Sequence, residues 1–296
     1  MGTAIFNIEG GIGKHVAATA VISAYKNTYP EKKIVVVCAW PEVFLGNEDV
    51  ERVYRLGVVP YFYRDFIYNK KDVEIFAHDP YRETFHVTKK KHLIDTWCNL
   101  VGVKRSKGKL NLNFNIRERD AIDPELAKIK KAKPLLVFQP FGGPGKNHQP
   151  HPYSWVRDIH PTIAQNIVNA LHEKYIILHV CYDFHPNLQN VVRFEKTVAK
   201  KELFNLLRYS DKRLLIDSSL QHAAAAMELP STVVWVGTSP KIFGYDQHRN
   251  ITPPKEYPKG HVDSYIFDYN FTGVMHECPY NDIGNLHNVE EILKDF

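Results

Sequence analysis

An apolar run, a polar turn and an alanine-rich run follow one another near the middle of the second half of the chain, and they constrain the fold most. The run at 213–216 predicts a buried strand. The alanines at 223–226, stopped by Pro230, predict a helix. The turn between them, from Asp217 to His222, carries hydroxyl groups that can cap the helix, and its N–H groups can hold a phosphate. The simpler alternative is an ordinary capped helix in an α/β sheet.

Further alternations of strand and helix surround this stretch and predict an α/β fold. In the first half, strands are expected at 4–8 and 33–38, with a helix at 16–25 between them. In the second half, strands are expected at 135–139 and 175–180. The remaining predicted elements are β-like runs at 58–63 and 73–77, and helices at 92–100, 117–133, 159–173, 201–209 and 289–295, the last with Asn288 as its N-cap.

Pro134 breaks a charged helical pattern and places a domain boundary near residue 133. We therefore predict two Rossmann-like, doubly wound domains, at 1–133 and 134–296. The final helix packing back on the first domain is one option. A cleft between two such domains suits a nucleotide-linked ligand on one side and a second substrate on the other.

The overall composition excludes several classes of protein. A chain of 296 residues with 44% apolar and 24% charged residues is typical of globular proteins. Since no 18 apolar residues run together and no signal peptide is visible, neither a membrane span nor secretion is expected. The 4 cysteines form no C-x-x-C pair, which argues against zinc and disulfides and indicates the reducing cytoplasm. We expect no metal and no bound cofactor.

Positive charge is concentrated in one block of the sequence. Residues 80–131 hold 13 Lys and Arg against 6 Asp and Glu, whereas the whole chain has a net charge of only +5. Such a block favours an anionic partner. A solvated lysine face is the alternative.

A glycine-rich turn, EGGIGKH, follows the first strand at residues 9–15. It is similar to the phosphate-binding loop of NTPases, in which Lys14 would contact phosphate. However, Ile8 stands at the first glycine position of that motif, and His15 replaces the hydroxyl residue that binds magnesium. An NTPase is therefore an alternative function, and close backbone approach at the glycines is the simpler explanation.

Acidic residues and a second glycine-rich loop follow other predicted strands. Asp79 stands at the end of the strand at 73–77, where open α/β sheets bind ligands, and it can act as a general base or simply begin a turn before a proline. Asp183 can take a ribose hydroxyl pair or cap a helix. The second loop, at 140–146, contains Gly142, Gly143 and Lys146.

These residues together resemble glycosyltransferase family 9, the lipopolysaccharide heptosyltransferase type. Members of that family carry a strand, the motif Asp-Ser/Thr-Gly-x-x-His, an alanine-rich helix, a proline and a strand that ends in Gly-Pro-Thr. Here the corresponding positions run from Asp217 to His222, through Pro230, to Gly237-Thr238-Ser239-Pro240. The resemblance is strongest over 134–245 and implies the GT-B fold and transfer of a sugar from a nucleotide-diphosphate sugar without a metal.

The resemblance also implies roles for individual residues. Lys146 would contact the donor diphosphate in the loop of Gly142 and Gly143. Ser218 and Ser219 would hold phosphate at the helix start. Asp217 would touch the donor sugar, with His222 completing the motif, and Asp183 is the candidate for the ribose.

Two positions depart from the family pattern. Ser219 replaces the glycine of the motif, which is expected to tighten the phosphate turn. The catalytic aspartate of the family follows the glycine of the first loop, where this chain has Lys14. Because a protonated lysine cannot deprotonate an acceptor hydroxyl, either Lys14 is neutral or the base is another group, for which the candidates are Asp79, Glu9 and His15, in that order.

The acceptor hydroxyl belongs to an anionic molecule in our prediction, and two acceptors are open. A lipopolysaccharide or other surface glycan is one, and duplex DNA with 5-hydroxymethylated bases is the other, slightly favoured by the positive block. Aromatic residues interleaved with it would stack on an extruded base or belong to the core: Tyr61, Tyr63, Tyr81, Phe85 and Trp97. A catalytically silent binding module is a further alternative.

Overall fold

The structure is a computed structural model, which describes residues 2–120, 130, 132–143, 153–195, 200–255 and 278–296. The chain divides into two compact units, Met1–Arg117 and Glu118–Phe296. Each unit is built on a parallel sheet with helices, so the predicted α/β class is confirmed. The boundary near residue 133 stays a prediction, because residues 121–129 and 131 lie outside the described residues.

The first unit contains a four-stranded parallel sheet in the order β3-β2-β1-β4. Its strands are β1 (Thr3–Ile8), β2 (Lys33–Cys38), β3 (Arg52–Arg55) and β4 (Val73–Phe76). The helices that follow are α1 (Ile12–Thr28), α2 (Thr84–Val87), α3 (Leu93–Leu100) and α4 (Ile116–Asp120), the last of which crosses the division between the units. Because chain order reverses beside β1, the switch point of this sheet lies between β1 and β4.

Both faces of the first sheet are covered by apolar side chains. On one face, Phe6 packs edge-on against Tyr25 of α1, with ring centroids 5.4 Å apart. On the other face, Phe62 and Phe66 lie near Tyr54, with centroid distances of 5.7 and 6.2 Å. These contacts explain why β1 and β2 are almost wholly apolar, as expected for strands buried on both faces.

The strand predicted at 58–63 is wrong. This region instead leads into one turn of π-helix, Tyr63–Ile67. Tyr61 has a left-handed backbone, with φ of 60°, which ends any extended run. Phe62 and Phe66, four residues apart, then both reach the sheet, as helical spacing requires.

The second unit contains a six-stranded parallel sheet in the order β10-β9-β8-β5-β6-β7. Its strands are β5 (Leu135–Phe138), β6 (Ile176–Cys181), β7 (Val192–Glu195), β8 (Lys212–Ile216), β9 (Thr232–Val234) and β10 (Arg249–Ile251). Its further helices are α5 (Pro161–Leu171), α6 (Lys200–Tyr209), α7 (Ser219–Ala226), α8 (Pro240–Phe243) and α9 (Val289–Leu293). The order is that of a doubly wound nucleotide-binding sheet, and its switch point lies between β5 and β8.

The last helix, α9, packs in the core of the second unit. Ile292 is fully buried in the same apolar cluster as Ile163 and Ile167 of α5. Asn288 caps α9 by accepting a hydrogen bond from the Glu290 N–H at 2.8 Å, as the sequence predicts. Over the described parts of both units, no helix is long and apolar enough to cross a membrane.

Candidate active site

Each sheet has one switch point. At each switch point, polar residues from the loops after two neighbouring strands meet. In doubly wound sheets, ligands bind outside the carboxyl ends of the strands at this position. The loops after β1 and β4 meet in the first unit, and those after β5 and β8 meet in the second.

An ion pair joins the two loops at the switch point of the first unit. Lys14, in the first turn of α1, places its Nζ 2.8 Å from Oδ1 of Asp79, which follows β4. The lysine side chain is 5% exposed and the aspartate side chain 28% exposed. Oδ1 of Asp79 also accepts a hydrogen bond from the N–H of Tyr81, so both contacts use the same oxygen and Oδ2 takes part in neither.

Two aromatic rings complete the surroundings of Lys14. Its ammonium group lies 5.1 Å from the ring centre of Tyr81 and 5.6 Å from that of Trp97, which are cation–π distances. His86 lies against Tyr81, and burial lowers the pKa of this histidine to about 3. Because Trp97 is only 3% exposed, it belongs to the core and is not available to stack on an extruded base.

These contacts bear on the NTPase alternative. In a phosphate-binding loop, the lysine must point its ammonium group at the ligand. Here Lys14 is buried, paired with Asp79 and enclosed by rings. The geometry therefore favours a role in holding Asp79 over a role in holding phosphate.

The other two candidates for the base stand in different environments. His15 is fully buried, and its ring nitrogens contact the backbone oxygens of Gly11 and Ile8 at 2.9 and 3.1 Å. Burial lowers the pKa of His15 to about 4. These contacts indicate that His15 fixes the shape of the loop, whereas Glu9 is exposed on it.

At the switch point of the second unit, a neutral hydrogen bond takes the place of the ion pair. Ser218 follows β8 and donates its hydroxyl to Oε1 of Gln139, which follows β5, at 2.5 Å. The Ser218 Oγ also accepts from the Leu220 N–H and so caps α7. Ser219 begins α7 with an ordinary right-handed backbone, so its replacement of a glycine requires no left-handed conformation.

Asp217 is a buried acid beside this hydrogen bond. Burial raises its pKa, while the charge of Arg157 and the nearby Thr238 act in the opposite direction. A carboxyl group that is kept from water next to a single cation is typical of functional sites.

A short segment before α5 covers the carboxyl ends of β5 and β9. The carboxylate of Asp158 accepts hydrogen bonds from the N–H groups of Gly142 and Ser154, both at 2.7 Å. The N–H of Gly237 donates to the Val156 oxygen at 2.8 Å, and a Cβ at Gly237 would stand 2.9 Å from that oxygen. Close packing at Gly237 therefore brings the segment, with Arg157, to the switch point.

Arg157 is the residue of this site that the sequence reasoning missed. A Cβ built on Gly142 would lie 3.4 Å from a guanidinium nitrogen of Arg157, and Arg157 also acts electrostatically on Asp217. The arginine thus stands between the ends of β5 and β8. No sequence motif marks it.

The remaining predicted residues are dispersed. Asp183 lies on the surface just past β6, where its carboxylate accepts from the Phe184 N–H at 2.9 Å. His222 is buried, and its Nδ1 lies 2.7 Å from the hydroxyl of Tyr245. Among the described residues, no atom lies within 4 Å of a Cβ built on Gly143. The prediction for Lys146 falls outside the described residues.

Comparison with known proteins bears on this arrangement. No protein-family model matches the sequence, and no curated protein matches it. Solved structures do match over nearly the whole chain. A glycosyltransferase of family 9 from Veillonella parvula DSM 2008 has a TM-score of 0.67 at 11% identity, covering 99% of this chain and 95% of its own.

Two further matches are Escherichia coli proteins. ADP-heptose lipopolysaccharide heptosyltransferase II has a TM-score of 0.59 at 13% identity, covering 93% of this chain and 97% of its own. The iron-containing dodecameric glycosyltransferase TibC of enterotoxigenic strain H10407 has a TM-score of 0.68 at 11% identity, covering 98% of this chain and 74% of its own. The predicted resemblance is confirmed at the level of structure, and the fold is the α/β fold of GT-B glycosyltransferases.

In the part of the chain that the structure describes, no three or more His, Cys, Asp and Glu side chains form a group that could hold a metal ion. The residues available at the two switch points are therefore an ion pair in one unit, and an arginine, a buried acid and a capped helix in the other.

Proposed function

We propose that this protein is a glycosyltransferase of the heptosyltransferase type, which transfers a sugar from a nucleotide-diphosphate sugar to a hydroxyl of an anionic glycan. The observation that carries the proposal is the pairing of Lys14 with Asp79 at 2.8 Å. Where the resembled family has an aspartate this chain has a lysine, and that lysine holds a carboxylate from the neighbouring strand. A base is thus supplied from β4 instead of β1.

In this proposal, Asp79 is the general base. Its Oδ1 is held by Lys14 and by the Tyr81 N–H, and Oδ2 accepts the proton of the acceptor hydroxyl. The hydroxyl oxygen then bonds to the anomeric carbon of the donor sugar. The bond from that carbon to the phosphate oxygen breaks, and the nucleoside diphosphate leaves with the electron pair, so a single displacement inverts the anomeric centre.

The second unit binds the donor in this proposal. The negative charge that grows on the departing diphosphate requires a cation and directed N–H groups. Arg157 supplies the cation between the ends of β5 and β8, and the first turn of α7 at Ser218 supplies N–H groups and its dipole. Asp217 contacts the donor sugar, and the proposed reaction uses no metal ion.

The neighbours in the comparisons favour a glycan acceptor. One of them is a lipopolysaccharide heptosyltransferase by name, and the alternative of hydroxymethylated DNA receives no support from them. ADP-heptose is accordingly the first donor to test. We infer a cytoplasmic location, where nucleotide sugars are made.

Nucleotide release tests this function. The chain is incubated with ADP-heptose and a panel of other nucleotide sugars, alone, with a truncated lipopolysaccharide acceptor, and with duplex DNA containing 5-hydroxymethylcytosine. We expect release that requires the glycan acceptor. Release that requires the modified DNA would reassign the acceptor, and binding of donors without release in any mixture would identify a silent binding module.

A further inference from the structure

The segment that connects β3 to β4 carries two sets of aromatic side chains. The inner set, Phe62 and Phe66, packs against Tyr54 and the sheet. The outer set is Tyr61, Tyr63 and Tyr68, which are 68%, 66% and 58% exposed. The inner set suffices to cover the sheet, so the core does not account for the outer one.

The outer tyrosines belong to a larger exposed apolar area. Leu56, Val58 and Val59, in the same segment, are 41%, 60% and 39% exposed. We call these three residues together with Tyr61, Tyr63 and Tyr68 the tyrosine surface. Exposed apolar side chains are common singly, but six within thirteen residues of one connection mark an interaction site.

The backbone on both sides of the outward-pointing tyrosines adopts an energetically unfavourable conformation. Tyr61 has φ of 60° and Asn69 has φ of 55°, so a left-handed residue stands on each side of the π-helical turn. A left-handed backbone is unfavourable for a bulky residue such as tyrosine, and such conformations persist mainly where function requires them. The turn is therefore fixed in the shape that points one aromatic set inward and the other outward.

The segment that carries the tyrosine surface is predominantly positive in charge. Residues 52–71 contain 5 Lys and Arg and 1 acidic residue, Asp65. Asp65 is itself paired with Arg64 at 2.7 Å, and the guanidinium of Arg64 lies 4.4 Å from the ring centre of Tyr61. The nearest acids outside this range, Glu51 and Asp72, pair with Lys33 and Lys32.

We propose that the tyrosine surface docks this protein on an anionic lipid bilayer. Tyrosine, apolar in its ring and polar at its hydroxyl, is enriched at the boundary between lipid tails and headgroups. The surrounding cations match the negative surface potential of such a membrane, to which each one adds affinity. Apolar side chains in the centre with cations around them are the composition that surface-bound segments use. This inference is independent of the proposed function.

Vesicle flotation of the purified full chain tests the inference. Vesicles of phosphatidylcholine alone are compared with vesicles that contain about 30% phosphatidylglycerol, near physiological and at high salt. We expect binding to the anionic vesicles that falls roughly tenfold or more at high salt, since the charges are exposed and screened.

Variants with matched controls then test whether the tyrosine surface is the part of the protein that binds the vesicles. The triple change Tyr61→Ser, Tyr63→Ser, Tyr68→Ser is expected to weaken vesicle binding about tenfold or more. Its control is Ile116→Ser, because Ile116 is 76% exposed elsewhere in the described chain. The change Lys70→Glu with Lys71→Glu is expected to act similarly, while Lys104→Glu with Lys107→Glu, an equal change in charge at another exposed site, has a smaller effect.

Three results would overturn the inference. Anionic vesicles could fail to bind the wild-type chain, or could bind the triple tyrosine variant as tightly as the wild type. The wild type could also form a dimer that the triple variant loses, which would assign the surface to a second copy of the chain. Hydrogen exchange of both tyrosine and lysine variants should match that of the wild type in β1 and β4, which excludes unfolding as the cause of lost binding.

Discussion

The switch points of the two sheets have the same topology but opposite chemistry. In the first unit, a lysine and an aspartate bridge the two loops, and both carry charge. In the second unit, a serine and a glutamine bridge them without charge, and Arg157 and the buried carboxyl group of Asp217, whose pKa burial raises, stand beside the bridge. The same strand order therefore supports either an ion pair or a neutral hydrogen bond between the two loops at its switch point.

Each chemistry fits the task that we propose for its unit. A base needs a carboxylate whose position is fixed, which the contacts of Oδ1 of Asp79 provide. A diphosphate needs N–H groups and a cation, which a fixed negative charge at the bridge would oppose. The neutral bridge of Ser218 and Gln139 leaves the start of α7 electropositive.

The largest expected effect is the loss of turnover when Asp79, at the switch point of the first unit, is changed. Asp79→Asn keeps the shape of the side chain but removes the base, so nucleotide release should fall by about 10²- to 10⁴-fold. Asp95→Asn is the control, because Asp95 forms an exposed pair with Arg105 in the same unit. Equal losses in both variants would show that turnover responds to charge in general and would remove Asp79 from the mechanism.

Lowering the pH should decrease the stability that His15 contributes to the first unit and increase the stability that Asp217 contributes to the second. Because the pKa of buried His15 is about 4 when folded, against about 6.5 in an unfolded chain, the unfolded state binds more protons between these values. The stability that neutral His15 contributes is therefore present above pH 6.5 and lost as pH falls toward 4, by about 3 kcal/mol. Asp217, whose pKa burial raises, contributes in the other direction, since ionising its buried carboxyl group as pH rises costs stability.

Hydrogen exchange at pH 7 and pH 5 measures this difference, because it reports on each unit separately. Protection of β1 and α1 should decrease at pH 5. In the second unit, Asp217→Asn should raise protection of β8 at pH 7, because it removes a buried carboxyl group whose ionisation costs stability. Protection of β1 that stays constant over this range would contradict the pH dependence assigned to His15.

Breaking the Lys14–Asp79 ion pair or the Ser218–Gln139 hydrogen bond should have smaller effects, which are measured as changes in the free energy of unfolding. Lys14→Met leaves Asp79 without its counter-ion in a partly buried place and should lower the free energy of unfolding by about 2 kcal/mol. Arg105→Met breaks an exposed pair and should cost less than about 1 kcal/mol. Ser218→Ala removes both a cap and a partner of Gln139, at a cost of about 1 kcal/mol.

Urea unfolding measures these three variants. Equal stability of the Lys14→Met and Arg105→Met proteins would show that the ion pair at the first switch point contributes no more to stability than an exposed ion pair does. A loss from Ser218→Ala larger than that from Lys14→Met would reverse the comparison and make the neutral bridge the stronger one.

The sequence predicts local structure well where apolar runs are short and bounded. The strand at 33–38 and the cap at Asn288 are confirmed, because local hydrogen bonding and burial decide them. The strand at 58–63 is wrong, since spacing of Phe62 and Phe66 outweighs the β propensity of the valines and tyrosines.

The candidate site could be predicted only in part, because its partners are distant in the chain. Lys14 and Asp79 were each selected from the sequence, but their pairing across 65 positions follows from the adjacency of β1 and β4. Arg157 lies outside any motif and reaches the site only because Gly237 allows close packing. Hydrophobic periodicity encodes neither the strand order that pairs Lys14 with Asp79 nor the close packing that brings Arg157 to the site.

The proposed division of tasks between the two units is tested by measuring ADP affinity and turnover in one variant of each switch point. Calorimetric titration with ADP, the product expected from ADP-heptose, is run on the wild type, Asp79→Asn and Arg157→Ala. We expect Asp79→Asn to bind ADP as the wild type does but to turn over at least about 100-fold more slowly. Arg157→Ala should bind ADP about tenfold or more weakly. Weaker ADP binding in Asp79→Asn, or unchanged binding in Arg157→Ala, would contradict the division of tasks between the two units.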